Sequence, residues 1–381
     1  MLNKKRVAII GAGMMGVQHT EALRRISNIE VIALADMNKD LADKCCASLA
    51  IPASYCDYNE MMEMEKPDVV HVCTPNFSHY AICKDAIGRG VNVFCEKPLA
   101  NTVEEARELA ELAEEHKTIC GVNFNYRHNA IVHEMRERVA SGDWERTFLV
   151  RGEYLQDWML YDTDYNWRCV PELGGESRTV SDIGSHCFDT MQFVLGEKIK
   201  RVYARLLTVY SQRKKYAHQA KTFGKQSGTD FELVDISSED AGLILVEFED
   251  GVKGTITLSQ VSAGYKNGLK LCVDGSKYSM TWDQENVDKL MLGYREGGKE
   301  ILYASSGNMT GTANDDISLP SGHPVGWADA LKNSIHDYYS YISNGGNKKF
   351  TDFSDGMQVV QIVEACLKSN RLNQWIDVDA Q

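Results

Sequence analysis

Gly11-Ala12-Gly13-Met14-Met15-Gly16 stands between an apolar run, residues 6–11, and an amphipathic stretch, residues 19–26. Between a strand and a helix, three glycines at this spacing build a phosphate loop. The first permits a tight turn, the second lets backbone approach a pyrophosphate, and the third packs helix on strand. The unpaired N–H groups and positive end of the helix then face the anion. Asp36 closes the second apolar run, 31–36, where a carboxylate accepts from an adenine-ribose hydroxyl and repels a 2′-phosphate. No arginine follows in Met37-Asn38-Lys39, so the pattern favours NAD over NADP.

Outward from the loop, strand-like and helix-like runs alternate over the first 125 residues. Residues 6–11, 31–36, 68–74, 91–95 and 118–124 read as strands, and 19–26 and 103–116 as helices. Near-continuous apolar strands alternating with helices predict a parallel sheet covered on both faces, with ligands outside the carboxyl ends of the strands. Beyond residue 145 the pattern changes. Residues 146–154 and 199–209 read as strands, 241–249 and 252–260 flank the turn Asp250-Gly251, and 269–274 and 278–282 flank Gly275-Ser276. Helices are expected at 182–195, 327–342 and 356–369. The fold class is α/β: a Rossmann dinucleotide-binding domain over 1–125, then an α+β domain over 126–381 with a large, mainly antiparallel open-faced sheet.

Composition sets limits on function. A chain of 381 residues with 43% hydrophobic and 25% charged residues is an ordinary two-domain globular protein. Its net charge of −13 counts against nucleic acid or anionic membrane partners. Lys4-Lys5-Arg6 before an apolar run imitates a short signal peptide, yet the glycines mark a first strand and phosphate loop. The 11 cysteines show no CxxC spacing and read as reduced and buried in a cytoplasmic protein. The histidines form no metal motif, and no metal is expected.

Two further strand ends carry unusual residues. Thr74-Pro75-Asn76 follows the run 68–74, with His79 one helical turn on, and Glu96-Lys97-Pro98 follows 91–95. A lysine here can polarise a substrate hydroxyl, although alone Lys97 reads equally well as a solvated loop lysine. Asp182 and His186 are four apart on one helical face. In a first turn, the dipole would keep His186 neutral and ready to accept a proton. The bland alternative is a helix cap and a packed histidine.

The ordered set Gly11-x-Gly13-x-x-Gly16, Cys73-Thr-Pro-Asn76-x-x-His79, Glu96-Lys-Pro98, Arg127, Trp167-Arg168 and Asp182-Ile-Gly184-Ser-His186-x-x-Asp189 resembles the glucose–fructose oxidoreductase / inositol dehydrogenase (Gfo/Idh/MocA) family. The resemblance runs over nearly the whole chain. It implies hydride transfer between nicotinamide and a hydroxyl carbon of a sugar, inositol or polyol, with Lys97, Asp182 and His186 catalytic. It places Gly11, Ala12, Gly13, Met14, Met15, Gly16, Asp36, Thr74, Pro75, Asn76, His79, Glu96, Lys97 and Arg168 at the cofactor. It also implies homodimers or homotetramers built on the C-terminal sheet, and it admits two other functions: a non-catalytic sugar sensor or corepressor, and a glycosidase that cycles bound NAD.

On the substrate side, Tyr154, Trp158, Tyr161, Tyr165 and Trp167 crowd the stretch before 182–195 and suit the C–H faces of a ring, or else pack a core or interface. Arg127, Tyr154, Trp158, Trp167 and Arg178 are the candidate substrate residues. Gly174-Gly175-Glu176-Ser177-Arg178 departs from the glycine-rich, apolar run of many relatives, and Arg178 there suggests an acidic or phosphorylated sugar. The basic segment 213–225 reads as a solvated or subunit-contacting loop, with an anion-binding flap as the alternative.

Overall fold

The β-branched runs of the first half form six parallel strands: β1 (Lys5–Ile10), β2 (Ile29–Ala35), β3 (Ala53–Tyr55), β4 (Val69–Val72), β5 (Asn92–Cys95) and β6 (Cys120–Val122). The computed structural model describes residues 4–217 and 229–378. The strand order β3-β2-β1-β4-β5-β6 reverses direction between β1 and β4, which opens a crevice at the strand ends carrying the glycine loop and Thr74. Val7, Ile9, Val70, Val93 and Phe94 are fully buried, as strands covered on both faces require. The helix Val103–His116 starts where its sequence dictates: the Thr102 side chain accepts from the Glu105 amide, and Lys117 ends it in the left-handed conformation. Three-residue β3 has no apolar run to announce it.

The second half builds β7 (Thr147–Leu155), β8 (Ile199–Leu207), β9 (Gln212–Tyr216), β10 (Phe231–Asp235), β11 (Ala241–Phe248), β12 (Lys253–Ser259), β13 (Gly268–Gly275), β14 (Ser279–Asp283), β15 (Lys289–Tyr294), β16 (Gly298–Tyr303) and β17 (Ile376–Asp377). Nine of these form one sheet in the order β16-β15-β14-β13-β7-β12-β11-β8-β17, antiparallel except for β12 beside β7. Asp250-Gly251 turns β11 into β12 as expected, with Gly251 at φ +87°. Alternation decides the faces. Val150, Ile244, Val246, Ile256 and Leu258 point inward, while Leu243, Leu245, Ile301 and Tyr303 are exposed. The helix Ser185–Leu195 packs on β7.

The chain divides into two compact units, Met1–His128 with Trp327–Val360, and Asn129–Gly326 with Gln361–Gln381. The expected single boundary at 125/126 does not foresee this return of the chain. The helix Trp327–Asn344 goes back to the first unit because its apolar face finds a place there: Leu331, Ile335, Tyr338 and Tyr339 join the core around Val7, Ile9 and Phe94. The basic segment is corrected where it is described. Arg213 lies on β9, fully buried, and Lys214 and Lys215 pair with Asp162 and Glu232. Residues 218–225 of that segment lie outside the described residues.

Candidate active site

In the first unit the glycine loop has the geometry its spacing predicts. Gly11 sits at φ +108°, and a Cβ there would lie 2.6 Å from the Cys73 carbonyl oxygen. A Cβ at Gly16 would overlap the Gly11 carbonyl and stand 3.1 Å from its carbon, so helix and strand can approach only at glycine. Gly13 faces open space and is exposed, as are Met14 and, in part, Met15. The helix Met14–Arg24 begins with no capping side chain and no acid in its first turn, which leaves its positive end to an anion. Asp36 is pinned: Oδ2 accepts from the Ala12 amide at 2.8 Å and Oδ1 from the Asn38 amide at 2.8 Å. The Ala12 amide thus braces Asp36. An open cradle at Gly13 beside a fixed carboxylate fits a dinucleotide.

The loops after β4 and β5 lie beside this cradle. Thr74, Pro75 and Asn76 are half-buried, and the Ser78 hydroxyl donates to Thr74 Oγ1 at 2.7 Å. His79 is corrected from a cofactor residue. It is fully buried, and its Nδ1 and Nε2 stand 2.8 Å from the carbonyls of Pro98 and Thr74, so it clamps the two loops together. Glu96 is buried, accepting from His19 Nε2 at 2.9 Å and Asn123 Nδ2 at 2.6 Å. Burial pushes its carboxyl up, but His19, Asn123 and Lys97 prevail and hold it down at about 2. Lys97 is half-buried at the end of β5, and Arg127 lies in the 3₁₀ turn Asn125–His128 of this same unit.

In the second unit, helical backbone runs from Thr179 through a π-turn, Val180–Gly184, into Ser185–Leu195. Ser185 N–H bonds five residues back to the Val180 carbonyl. Such turns recur at functional sites. His186 therefore lies beyond the first turn, and the dipole expected to act on it is compensated at the true start by Glu239. That carboxylate accepts from Val180 N at 2.8 Å, Arg178 N at 3.1 Å and Ser177 Oγ at 2.7 Å. Burial pushes the Glu239 carboxyl above its ordinary range. Asp182 is not a cap. Its Oδ2 accepts from Gln260 Nε2 at 2.9 Å, and its Oδ1 stands 3.6 Å from Arg168 Nε.

Arg168 lies over the Trp167 ring at 4.3 Å and the Trp158 ring at 5.9 Å, a cation held on aromatic faces toward Asp182. The Tyr154 ring is 6.4 Å from that of the buried His186, and its hydroxyl donates to Asn267 at 2.5 Å. Tyr165 packs into a small core with Met159, Cys169 and Ile236, while Tyr161 is exposed. Arg178 is corrected outright. It is fully buried, bonded to Asp240, the Glu239 carbonyl and Gln260 Oε1, and it cannot meet a substrate. Burial works against the Asp240 charge, but Arg178 and Arg213 outweigh it and hold its carboxyl below the usual range. Gln260, Glu239 and Asp240 escape sequence reading, since only the folded sheet brings them to residues 177–182. Among the described residues no group of three metal-ligating side chains is found, and no helix is long and apolar enough to cross a membrane.

Comparison with known proteins places this geometry in a group. Residues 5–124 match a family model described as an oxidoreductase family with an NAD-binding Rossmann fold, and 132–281 match a GFO/IDH/MocA C-terminal domain. The chain is 25% identical to the levoglucosan dehydrogenase of Pseudarthrobacter phenanthrenivorans, covering 98% of this chain and 97% of that protein. It is 34% identical to the inositol 2-dehydrogenase of an Arthrobacter species over 54% of this chain and 58% of that one. A crystal structure of an oxidoreductase domain protein from Kribbella flavida superposes with a TM-score of 0.89 at 27% identity, covering 99% and 100% of the two chains.

Proposed function

The chain belongs to the GFO/IDH/MocA family of NAD-binding oxidoreductases, and from that premise we propose that it oxidises a hydroxyl carbon of a sugar, inositol or related polyol. The observation that carries the reading is the setting of Asp182. Its carboxylate is held by Gln260 and faces Arg168, four residues before the buried His186 on one helical stretch. That arrangement suits a general base at His186 with an orienting carboxylate at Asp182, whose position is fixed before substrate arrives.

In this reading His186 takes the hydroxyl proton, Lys97 hydrogen-bonds the same oxygen, and Asp182 orients Lys97 or a neighbouring hydroxyl. The loop of Gly11, Gly13 and Gly16, with Asp36 at the ribose, would hold NAD, whose nicotinamide would accept the hydride released from the carbinol C–H. Trp158, Trp167 and Arg168 offer a ring platform with a cation, and Arg127 and Tyr154 complete the substrate set. Leu243, Leu245, Ile301 and Tyr303, exposed on the large sheet, favour a homodimer or homotetramer formed on that face. The setting proposed is the cytoplasm, with no nucleic-acid or membrane partner.

The test is NADH appearance on a panel of inositols, aldoses, anhydro-sugars and glycosides. Turnover with free NADH is expected, and His186→Ala should lower kcat by roughly 10²-fold or more while NAD still binds. An unchanged kcat would sink the role of His186. Sugar released without net NADH would point to a glycosidase, and NAD binding without turnover on any member would point to a sensor.

A further inference from the structure

Three residues after Gly16, the phosphate-loop helix carries His19, fully buried. Its Nδ1 lies 2.8 Å from Nδ1 of His71 on β4, also fully buried, and His71 Nε2 lies 3.0 Å from the hydroxyl of Tyr339. The other nitrogen of His19 meets Glu96. A chain of polar groups, Tyr339–His71–His19–Glu96, thus runs through the first unit and ends on the residue before Lys97. Phe94 packs against both imidazoles, with centroids 5.9 and 5.1 Å away, and His71 stacks on Tyr339 within 10° of parallel.

The donors in this chain can be deduced. Glu96 Oε1 accepts from His19 Nε2 and from Asn123 Nδ2, and Oε2 accepts from the Lys97 backbone N–H at 3.3 Å. With His19 neutral, its one proton is on Nε2, so its Nδ1 is an acceptor. His71 must then donate from Nδ1, and its Nε2 must accept from the Tyr339 hydroxyl. Every proton points toward Glu96. A second proton on His19 reverses the far half: His19 Nδ1–H donates to His71, whose own proton moves to Nε2 and is donated to Tyr339. His71 stays neutral in both states, because burial and then His19 press its pKa well below the ordinary histidine value.

We propose that His19, His71 and Tyr339 are positioning residues for the reaction, a buried relay that holds Glu96 in one orientation as an ionised carboxylate securing the Lys97 loop. The inference rests on the reading of Lys97 as the residue that polarises the substrate hydroxyl. The remaining titratable groups facing the relay are Cys73 just after β4, Cys95, His79 and Lys97 around Glu96, and Asp68 and Tyr338 beside Tyr339. Cys73 and Tyr339 are pushed well up by burial first and stay neutral.

Two measurements test the relay, one of which needs no turnover. Nitrogen-15 histidine NMR on the full-length protein with NAD bound should show His71 as the Nδ1–H tautomer at high pH, changing to Nε2–H, without gaining charge, as His19 is protonated. A His71 that is Nε2–H while His19 is neutral, or that titrates independently, overturns the relay. In kinetics on the polyol turned over by the parent, His19→Leu should lower kcat about 10- to 100-fold with the KM for NAD nearly unchanged. It should also add an acid limb between about pH 5 and 7, as the buried Glu96 carboxyl loses its donor and begins to titrate. His19→Gln, which keeps an N–H toward Glu96, should restore most of kcat and remove that limb. A parental pH profile in His19→Leu overturns the positioning role. The tautomer result stands even if His19→Leu fails to fold. An inactive parent with the expected tautomers refutes the dehydrogenase reading while sparing the relay.

Discussion

Adding one methyl group at Gly13 or at Gly16 separates the two uses of the phosphate loop. A Cβ at Gly13 meets nothing within 4 Å, and its φ of −70° is open to any L residue, so Gly13→Ala should leave stability within about 0.5 kcal/mol of the parent. The same methyl points into the space that a pyrophosphate would occupy and holds it away from the helix N–H groups. Losing one or two charge-assisted hydrogen bonds costs about 2–4 kcal/mol, roughly 30- to 1000-fold in Kd for NADH. At Gly16 the methyl overlaps the Gly11 carbonyl, a backbone group that cannot rotate aside. Gly11 is itself tied to Ala35 through a 2.8 Å hydrogen bond, so the helix must shift from the sheet. Overpacking of this kind costs about 1–3 kcal/mol and lowers Tm by several degrees. Calorimetric titration with NADH, paired with thermal unfolding of the same samples, reads both quantities. Gly13→Ala should lose affinity alone, and Gly16→Ala both. A Gly13→Ala protein that binds NADH within threefold of the parent, or that melts as early as Gly16→Ala, would refute the assignment of the second glycine to the cofactor.

Three other outcomes follow from single contacts. Asp36→Ala removes the acceptor fixed by Ala12 and Asn38, and should weaken NADH by about 10- to 100-fold while narrowing its advantage over NADPH; paired titrations with an unchanged ratio would refute that role. Arg178→Met takes one of two arginines from the buried Asp240, which keeps Arg213 and the Val209 and Tyr210 amides, and should destabilise the protein by about 3–5 kcal/mol in urea unfolding, whereas a raised substrate KM at parental stability would return Arg178 to the substrate site. The Glu96 carboxyl is depressed in the folded state, to about 2 from an ordinary 4.5, so its contribution, about 3 kcal/mol, is present above pH 4.5 and lost as pH falls toward 2. Unfolding midpoints should therefore fall more steeply in the parent than in Glu96→Gln between about pH 5 and 3; parallel curves would refute the shift.

What the sequence makes legible is local. The glycine loop, the runs around Val7 and Val70 and the Asp250-Gly251 turn each specify their structure within a few residues, and each forms as expected. Strands β9, β10, β15 and β16 were harder to read. β10 and β16 are largely exposed, so a buried face imposes little apolar alternation on them. The misread site residues share a different trait. His79 and Arg178 stand inside or beside the quoted motifs, but in each the polar groups are already occupied within the protein. The carbonyls of Thr74 and Pro98 take the His79 ring, and Asp240 and Gln260 take the Arg178 guanidinium. A buried guanidinium or imidazole must be paired, and the partner comes from whichever strand or loop the topology lays alongside. The spacing of residues 177–186 marks Asp182 and His186 as candidates. It cannot show that Glu239, some 60 residues on, caps the helix in place of Asp182. With Glu239 at the helix start, Asp182 is left to hold Gln260 and face Arg168, and that is the setting from which its proposed role follows.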